Sequence, residues 1–343
     1  LLNVYNERTV YKMSKKKVNI YDVAEKAGVG IGTVSRVLNN SNKVKEETRE
    51  KILEVMRELN YRPNKVAQNL AKQKANAVAV IVPSFIDHFF VEVLKGIQDA
   101  LEEESIDLIL HKIDLNKSRM EKIMEIVHSR KVDGIAAVTM DISQTEHDEL
   151  KNAGIPIVIA DEFSPDFNSI YFDDIKGGEM AVDYLFNQGH REIAFINGDI
   201  NSLHGQKRLE GVKKSFQKNN LQFNSQIIKD GDFYAEDGYH SMQEILTLPE
   251  SDWPTAVFAA SDNQAIGVLK AMEEKGLKAP DDIAVIGYDN IELAKHLKIT
   301  TIWQPMYKLG HLAIEVLLKA INGELDDTYQ KELELKLVKR ETA

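Results

Sequence analysis

The sequence predicts an all-α helix-turn-helix head followed by an α/β body of two doubly wound parallel-sheet lobes. Three observations carry that expectation. Three short amphipathic helical patterns fall between residues 19 and 59, and after residue 77 apolar runs alternate with helical stretches. Charge divides at the same place. Residues 13–74 hold 14 Lys+Arg against 7 Asp+Glu, a net +7, whereas residues 75–343 carry -19 of a chain total of -11. A basic head on an acidic body is the asymmetry expected when only the head meets a polyanion. The body's repulsion from phosphates then helps to orient the encounter. At 343 residues the chain is long enough for two or three domains.

Residues 1–17 show no helical or strand period, and their apolar content is too short for a secretory segment. Met13, followed by Ser14 and three lysines, reads as a natural start, leaving the residues before it as an over-extended gene start or a disordered arm. Residues 18–62 form the head. Asn19 can cap a first helix, with Asp22 where a carboxylate favours the positive helix end. Ile20, Val23, Ala24 and Ala27 share one face, and Gly28 offers a left-handed stop. A second helix runs from about Ile31 to Leu38 with Val34, Val37 and Leu38 inward. A third, from about Lys45 to Leu59, buries Val44, Thr48, Ile52, Val55, Met56 and Leu59. Two short helices joined by a glycine turn make a helix-turn-helix unit.

Residues 63–75 are polar and lysine-rich. Asn64–Leu70 could form a helix of about two turns, too short to be stable alone, so this linker folds only when something holds it. In residues 76–343, AVAVIV (77–82), LILHKI, GIAAVT, IPIVIA, EIAFING, AVFAAS and DIAVIGYD are strand candidates, each next to a helical stretch. Repeated strand–helix–strand units imply parallel sheets with helices on both faces. Ligands in such folds bind at the carboxyl ends of the strands, here in a cleft between the lobes.

Several function classes drop out. With no cysteine there is no disulfide, thiolate metal site or cysteine nucleophile, which fits a reducing cytoplasm. No apolar run reaches the roughly 18 residues of a membrane span. GVGIG at 28–32 follows a helix rather than a strand and lacks the third glycine of a dinucleotide loop. There is no nucleophile elbow, zinc-protease helix or phosphate loop. The nine histidines show no metal spacing, and His190 reads as a helix-end contact. Asp173–Asp174 and Asp281–Asp282 sit in turn-like contexts and are expected to be solvated. No catalytic role, cofactor or metal is expected.

The head, VNIYDVAEKAGVGIGTVSRVLNN with LNYRPNKVAQNLA after it, resembles the lactose-repressor (LacI) family of bacterial transcription regulators. The body continues the resemblance with GGxxAxxxLxxxGHRxIAxI (177–196), RLxG (208–211), GDF (231–233), SDxxAxG (261–267) and VIGYDN (285–290). It covers about residues 18–330 and implies a periplasmic-binding-protein-like body. By resemblance, Tyr21, Thr33, Ser35 and Asn39 position the DNA backbone, while Ile31 and Gly32 occupy specificity positions. Ile31 offers only apolar contact and Gly32 has no side chain, so sequence reading falls on Arg36, the linker and DNA shape. Arg36 can fork onto guanine. Asn64, Ala67 and Leu70 match the family's hinge helix, with Leu70 as the minor-groove wedge. Gly30 and Lys45 stand where the family usually has capping serines, which weakens both helix starts.

For the effector, the resemblance implies Asp87, Phe89, Phe90, Asp161, Arg208, Phe233, Asp262 and Asp289, all at cleft ends of strands or at the helix starts that follow them. Phe89 and Phe90 could cover a sugar ring or a base, or one of them could pack in the core; Asp289 could be structural. Carboxylates accept hydrogen bonds from hydroxyls, so a sugar is favoured over a purine. The reading is a cytoplasmic homodimeric repressor of a carbohydrate-utilisation operon, binding a palindromic operator and a small-molecule effector, with no membrane role. The alternatives are a regulator responsive to a purine or other metabolite, or a sugar-binding protein without a DNA role.

Overall fold

A computed structural model describes residues 18–39, 41–62, 74–102, 104–113, 119–139, 142, 144–222 and 224–343. The chain divides into two compact units, Leu1–Lys74 and Ala75–Ala343.

The first unit contains α1 (Ile20–Ala27), α2 (Ile31–Leu38) and α3 (Glu46–Glu58). The Asn19 side chain accepts hydrogen bonds from the backbone N–H groups of Tyr21 and Asp22, and the Asp22 carboxylate accepts from the N–H of Asn19. That reciprocal box fixes the start of α1, and Gly28 at φ +67° ends it. Val23, Ala27, Val34, Val37, Ile52 and Val55 form the buried core, with Val44, Met56 and Leu59 packed around it. Neither Gly30 nor Lys45 supplies a side-chain cap, so α2 and α3 start on backbone geometry alone. Asn64, Ala67 and Leu70, the expected hinge contacts, lie outside the described residues, as does the expected arm at residues 1–17.

The second unit holds two six-stranded sheets. The first lobe contains β1 (Ala77–Val82), α4 (His88–Leu101), β2 (Asp107–Lys112), α5 (Arg119–His128), β3 (Gly134–Val138), α6 (Gln144–Lys151), β4 (Ile157–Ala160) and β5 (Asn168–Tyr171). The second contains α7 (Asp174–Asn187), β6 (Ile193–Ile196), α8 (Leu203–Lys218), β7 (Ile228–Lys229), α9 (Ala235–Ile245), β8 (Ala256–Ala259), α10 (Asp262–Glu274), β9 (Ala284–Asp289), α11 (Glu292–His296) and β10 (Thr300–Trp303). The chain then returns to the first lobe with α12 (Met306–Asn322) and β11 (Gln330–Glu332), and crosses again to β12 (Lys336–Val338). Three crossings therefore join the lobes, after β5, β10 and β11.

Strand order is β11-β5-β4-β3-β1-β2 in the first sheet and β12-β10-β9-β8-β6-β7 in the second. All pairs are parallel except β10–β12. Both faces of each sheet are covered, which is why β1 is apolar throughout: Val78, Val80 and Val82 face α4 and α12, while Ala77, Ala79 and Ile81 face α5. The strands β5, β7 and β10 are additions to the sequence reading, being short, partly polar or at a sheet edge, whereas the tail KELELKLVKRETA, which reads as one strand with a short end, spans most of β11 and all of β12, in different sheets.

One helix contact bears directly on the cleft. Helices α7 and α8 meet at Gly178 and Gly211, where a Cβ would strike the carbonyl oxygens of Arg208 and Ile175 respectively. Glycine at both positions lets α7 approach α8 closely enough to pair their polar side chains.

Candidate functional site

On the head, the helical period separates two faces of α2. Val34 and Val37 point into the core, while Ile31, Gly32, Arg36 and Asn39 are exposed and Thr33 and Ser35 half-buried. Tyr21 is 65% exposed and Ile31 40% exposed, unusual for large apolar side chains. Asn39 ends α2, its N–H donating to the Ser35 carbonyl. The seven head residues singled out from the sequence therefore place none of their side chains in the fully buried core.

In the body, a cleft of about 240 Å³ opens at the carboxyl ends of both sheets. The first lobe contributes Ser84, Asp87, Phe89, Phe90, Thr139 and Asp161; the second contributes Asp199, His204, Arg208, Asp232, Phe233, Asn263 and Asp289. Three of the strand-end residues, Thr139, Asp161 and Asp289, have φ of 53°, 74° and 106°. These left-handed conformations are costly for side-chain-bearing residues and turn the chain sharply at the cleft wall.

Each predicted effector residue has a definite local role. Asp87 caps α4, accepting from the N–H of Phe89 at 2.9 Å, and burial raises its pKa. Phe89 and Phe90 both line the cleft, edge to face with centroids 5.2 Å apart, and both also pack on the core. Asp161 accepts from the Thr139 hydroxyl at 2.7 Å, and burial pushes it up to about 6. Asp289 accepts from Gln304 Nε2 at 2.7 Å, and burial raises its pKa well above the usual carboxylate range. Phe233 lies opposite, its ring centroid 5.5 Å from the Arg208 guanidinium carbon.

Asp262 does not reach the cleft. It is fully buried, accepting from the Thr301 hydroxyl at 2.6 Å and the Ile291 N–H at 2.9 Å. Asn263, one residue on, lines the cleft instead. The expectation of the right strand end was sound in placement, but consecutive helix residues point about 100° apart, and Asp262 faces inward.

Asp174 overturns the expectation of a solvated pair. Asp173 does cap α7 at the surface, accepting from the Lys176 N–H at 3.0 Å, but Asp174 is 1% exposed. Its carboxylate accepts from Arg208 Nε and from His204 Nδ1, each at 2.8 Å. Burial opposes its charge, yet Arg208 and His204 outweigh this and hold its pKa far below the ordinary value. His204 itself is buried and is pushed up to about 9: burial works against its charge, but Asp161 and Asp174 more than compensate. No local sequence signal marked Asp174 or His204, because their partners stand some thirty residues away. His190 places Nδ1 3.0 Å from the Thr255 hydroxyl, beside the end of α7.

Residues 19–64 match the bacterial regulatory proteins of the lacI family, and residues 182–343 match the periplasmic binding protein-like domain. Catabolite control protein A of Priestia megaterium is 33% identical over 91% of this chain and 95% of its own length. The chain belongs to the lacI family of bacterial regulatory proteins. A repressor of this family from Histophilus somni (strain 129Pt), the HTH-type transcriptional repressor PurR, is 34% identical over 88% of this chain and 92% of its own. Among solved structures, the lac repressor dimer bound to operator and the anti-inducer ONPF superposes with a TM-score of 0.84 at 31% identity, covering 95% of this chain and 99% of that one. As a lacI-family repressor, the protein has operator DNA and a small-molecule effector as partners. No helix among the described residues is long and apolar enough to cross a membrane.

Proposed function

We propose that the protein is a cytoplasmic, homodimeric repressor of a carbohydrate-utilisation operon, controlled by a neutral polyhydroxylated effector in the interlobe cleft. The observation carrying the effector class is the pairing, within one cleft, of Asp87, Asp161 and Asp289 with the Phe89, Phe90 and Phe233 rings. Carboxylates accept from hydroxyls, and aromatic rings cover the apolar faces of a sugar. Arg208, already bonded to Asp174, leaves the cleft with an excess of acidic groups, which disfavours an anionic ligand. Tyr21, Ile31, Gly32, Thr33, Ser35, Arg36 and Asn39 form the DNA-contacting set of the head, with Asn64, Ala67 and Leu70 completing it in the linker. Two heads on one palindrome suit a dimer, as in the operator-bound lac repressor dimer. A purine is the second reading, favoured by the similarity to PurR and by a phenylalanine pair that could equally enclose a base.

Two measurements test this. Selection of bound sites from random duplex DNA should enrich a palindrome. Thermal unfolding with a panel of neutral mono- and disaccharides, hypoxanthine and guanine should then show stabilisation by a sugar and not by the bases. Stabilisation by a base alone would replace the carbohydrate reading with the purine one.

A further inference from the structure

The seam between the lobes carries a set of charges that effector binding alone does not explain. His204 projects from α8 of the second lobe, where Asp174 fixes its Nδ1 at 2.8 Å. Its Nε2 faces the first lobe, 3.4 Å from Asp161 and 3.6 Å from Glu162. Nearly one helical turn on, Lys207 reaches across the same seam to the other Glu162 oxygen at 3.0 Å. The fixed side and the crossing side differ in length. Charge-assisted N–H···O bonds settle near 2.7–2.9 Å, so the Asp174 bond is complete whereas the two crossing contacts are stretched. Glu162 Oε1, the oxygen nearer His204, is buried and has no hydrogen-bond partner among the described residues. A buried acceptor without a donor is costly, and the nearest cation sits just out of reach.

We propose that His204 is an interlobe latch: it is anchored to the second lobe by Asp174, its single Nε2 proton is drawn toward Asp161 and Glu162 of the first, and lobe closure of about half an ångström completes the bond to Asp161. The open–closed balance is thereby biased from within the protein, and an effector that inserts between Asp161 and His204 changes that bias. Such a bias is what couples an effector site to a DNA site, because each ligand acts through its different affinity for the two states. The charged groups facing His204 are Asp174 from α7, Asp161 and Glu162 after β4, and Lys207 and Arg208 from α8; Tyr288 of β9 donates to Asp174 at 3.2 Å. Asp161 is charged above about pH 6 and His204 below about pH 9, so the attraction across the seam is complete only between those values.

The consequence for DNA binding rests on the cleft being the effector site, but the latch itself is read without effector, so loss of the carbohydrate reading leaves it standing. The chain has no cysteine, and Glu125 in the first lobe and Glu273 in the second are exposed. Glu125→Cys and Glu273→Cys, spin-labelled together in the full chain, report the interlobe distance by pulsed electron paramagnetic resonance. Raising the pH from neutral to above about 9 should broaden the distribution and move its mean outward. His204→Gln should show that broader distribution already at neutral pH and lose the alkaline change. Lys207→Met, which removes the more exposed crossing charge, should broaden it partially and serves if His204→Gln does not fold. An alkaline shift of the same size in His204→Gln, or distributions unchanged by pH in the parent and by Lys207→Met, would overturn the latch.

Discussion

The Arg208 guanidinium lies against the Tyr288 ring, its carbon 3.8 Å from the ring centroid, while its Nε bonds Asp174 at 2.8 Å. A second guanidinium nitrogen donates to the Ala260 carbonyl. Arg208 is thus held by an anion, a ring face and a carbonyl before any ligand arrives, which makes it part of the cleft's framework as well as its lining. Arg208→Ala should therefore do more than weaken an effector response. It leaves the buried Asp174 with His204 as its remaining cation and Tyr288 as a weaker donor, so the cost should approach but not exceed the roughly 3–5 kcal/mol of breaking a buried pair outright. Urea unfolding should show that loss in the body, and Arg208→Lys should recover only part of it, since a lysine lacks the planar fork that meets all three partners.

Stability should depend on pH through His204 and Asp174 with opposite signs. The folded pKa of His204 is raised from 6.5 to about 9, so its stabilisation is full below about 6.5 and is lost as the pH climbs through 9. That of Asp174 is depressed below 3.8, so its contribution is present above that value and is lost as the pH falls below it. Asp161 runs against Asp174: raised to about 6, it stabilises least once ionised. Thermal midpoints measured from neutral to alkaline pH should fall in the parent protein and fall less in His204→Gln. Equal slopes in the two would remove His204 as the titrating group.

How much of this was legible beforehand divides along the range of the interactions. The Asn19–Asp22 box, the Gly28 stop and the inward Val34 and Val37 are settled within a few residues, and α1 and α2 begin and end where those signals put them. The central strands were equally plain, because a strand buried on both faces is apolar throughout. Edge strands were less plain: the tail reads as one strand, but exposed β11 (Gln-Lys-Glu) pairs with β5 because α12 carries the chain back to the first lobe, and β12 pairs with β10 after the chain crosses again. In the cleft, family resemblance located Asp161, Arg208 and Asp289, whereas Asp174 and His204 carry no local mark. A polar residue at a helix start reads as solvated until a partner from another helix is known to cover it.

Arg36 is exposed on the outer face of α2, about one turn on from Gly32, whose face it shares. Arg36→Ala should leave the head folded, since Val34 and Val37 hold α2 from the other side. Losing a bidentate guanine contact costs about 1–3 kcal/mol of discrimination. Fluorescence anisotropy at fixed salt, using the selected palindrome and a scrambled duplex, should show specific affinity falling toward the non-specific value while effector stabilisation of the body is unchanged. Retention of full specificity would place base reading elsewhere on the head.

The cap positions give a test in the opposite direction. Lys45 starts α3 with extended geometry, φ -61° and ψ 143°, but its side chain bonds no backbone N–H of the first turn. A serine there can accept from one of those groups, so Lys45→Ser should stabilise α3 by about 0.5–1 kcal/mol. Slower hydrogen exchange at the α3 amides of the full chain would register the gain. Operator affinity must be judged separately, because the same substitution removes a positive charge from the basic head and should weaken binding while making its fall with rising salt shallower.

The α7–α8 contact links the fold to the cleft chemistry. Gly211 lies where a methyl group would meet the Ile175 carbonyl oxygen, so Gly211→Ala must push α8 away from α7. Asp174 sits at the start of α7, and its two partners, His204 and Arg208, both come from α8. A small separation of the helices therefore lengthens two buried charge-assisted bonds at once, in addition to disturbing the packed interface. Gly211→Ala should lower the thermal midpoint of the body and bring the pKa of His204 part of the way down toward its ordinary value, because Asp174, one of the anions that raise it, moves away. Titration of the histidine ring protons by nuclear magnetic resonance would follow this directly. A destabilised protein whose His204 still titrates near 9 would mean either that the Asp174 anchor survives the displacement or that Asp161 and Glu162 suffice to hold the raised value.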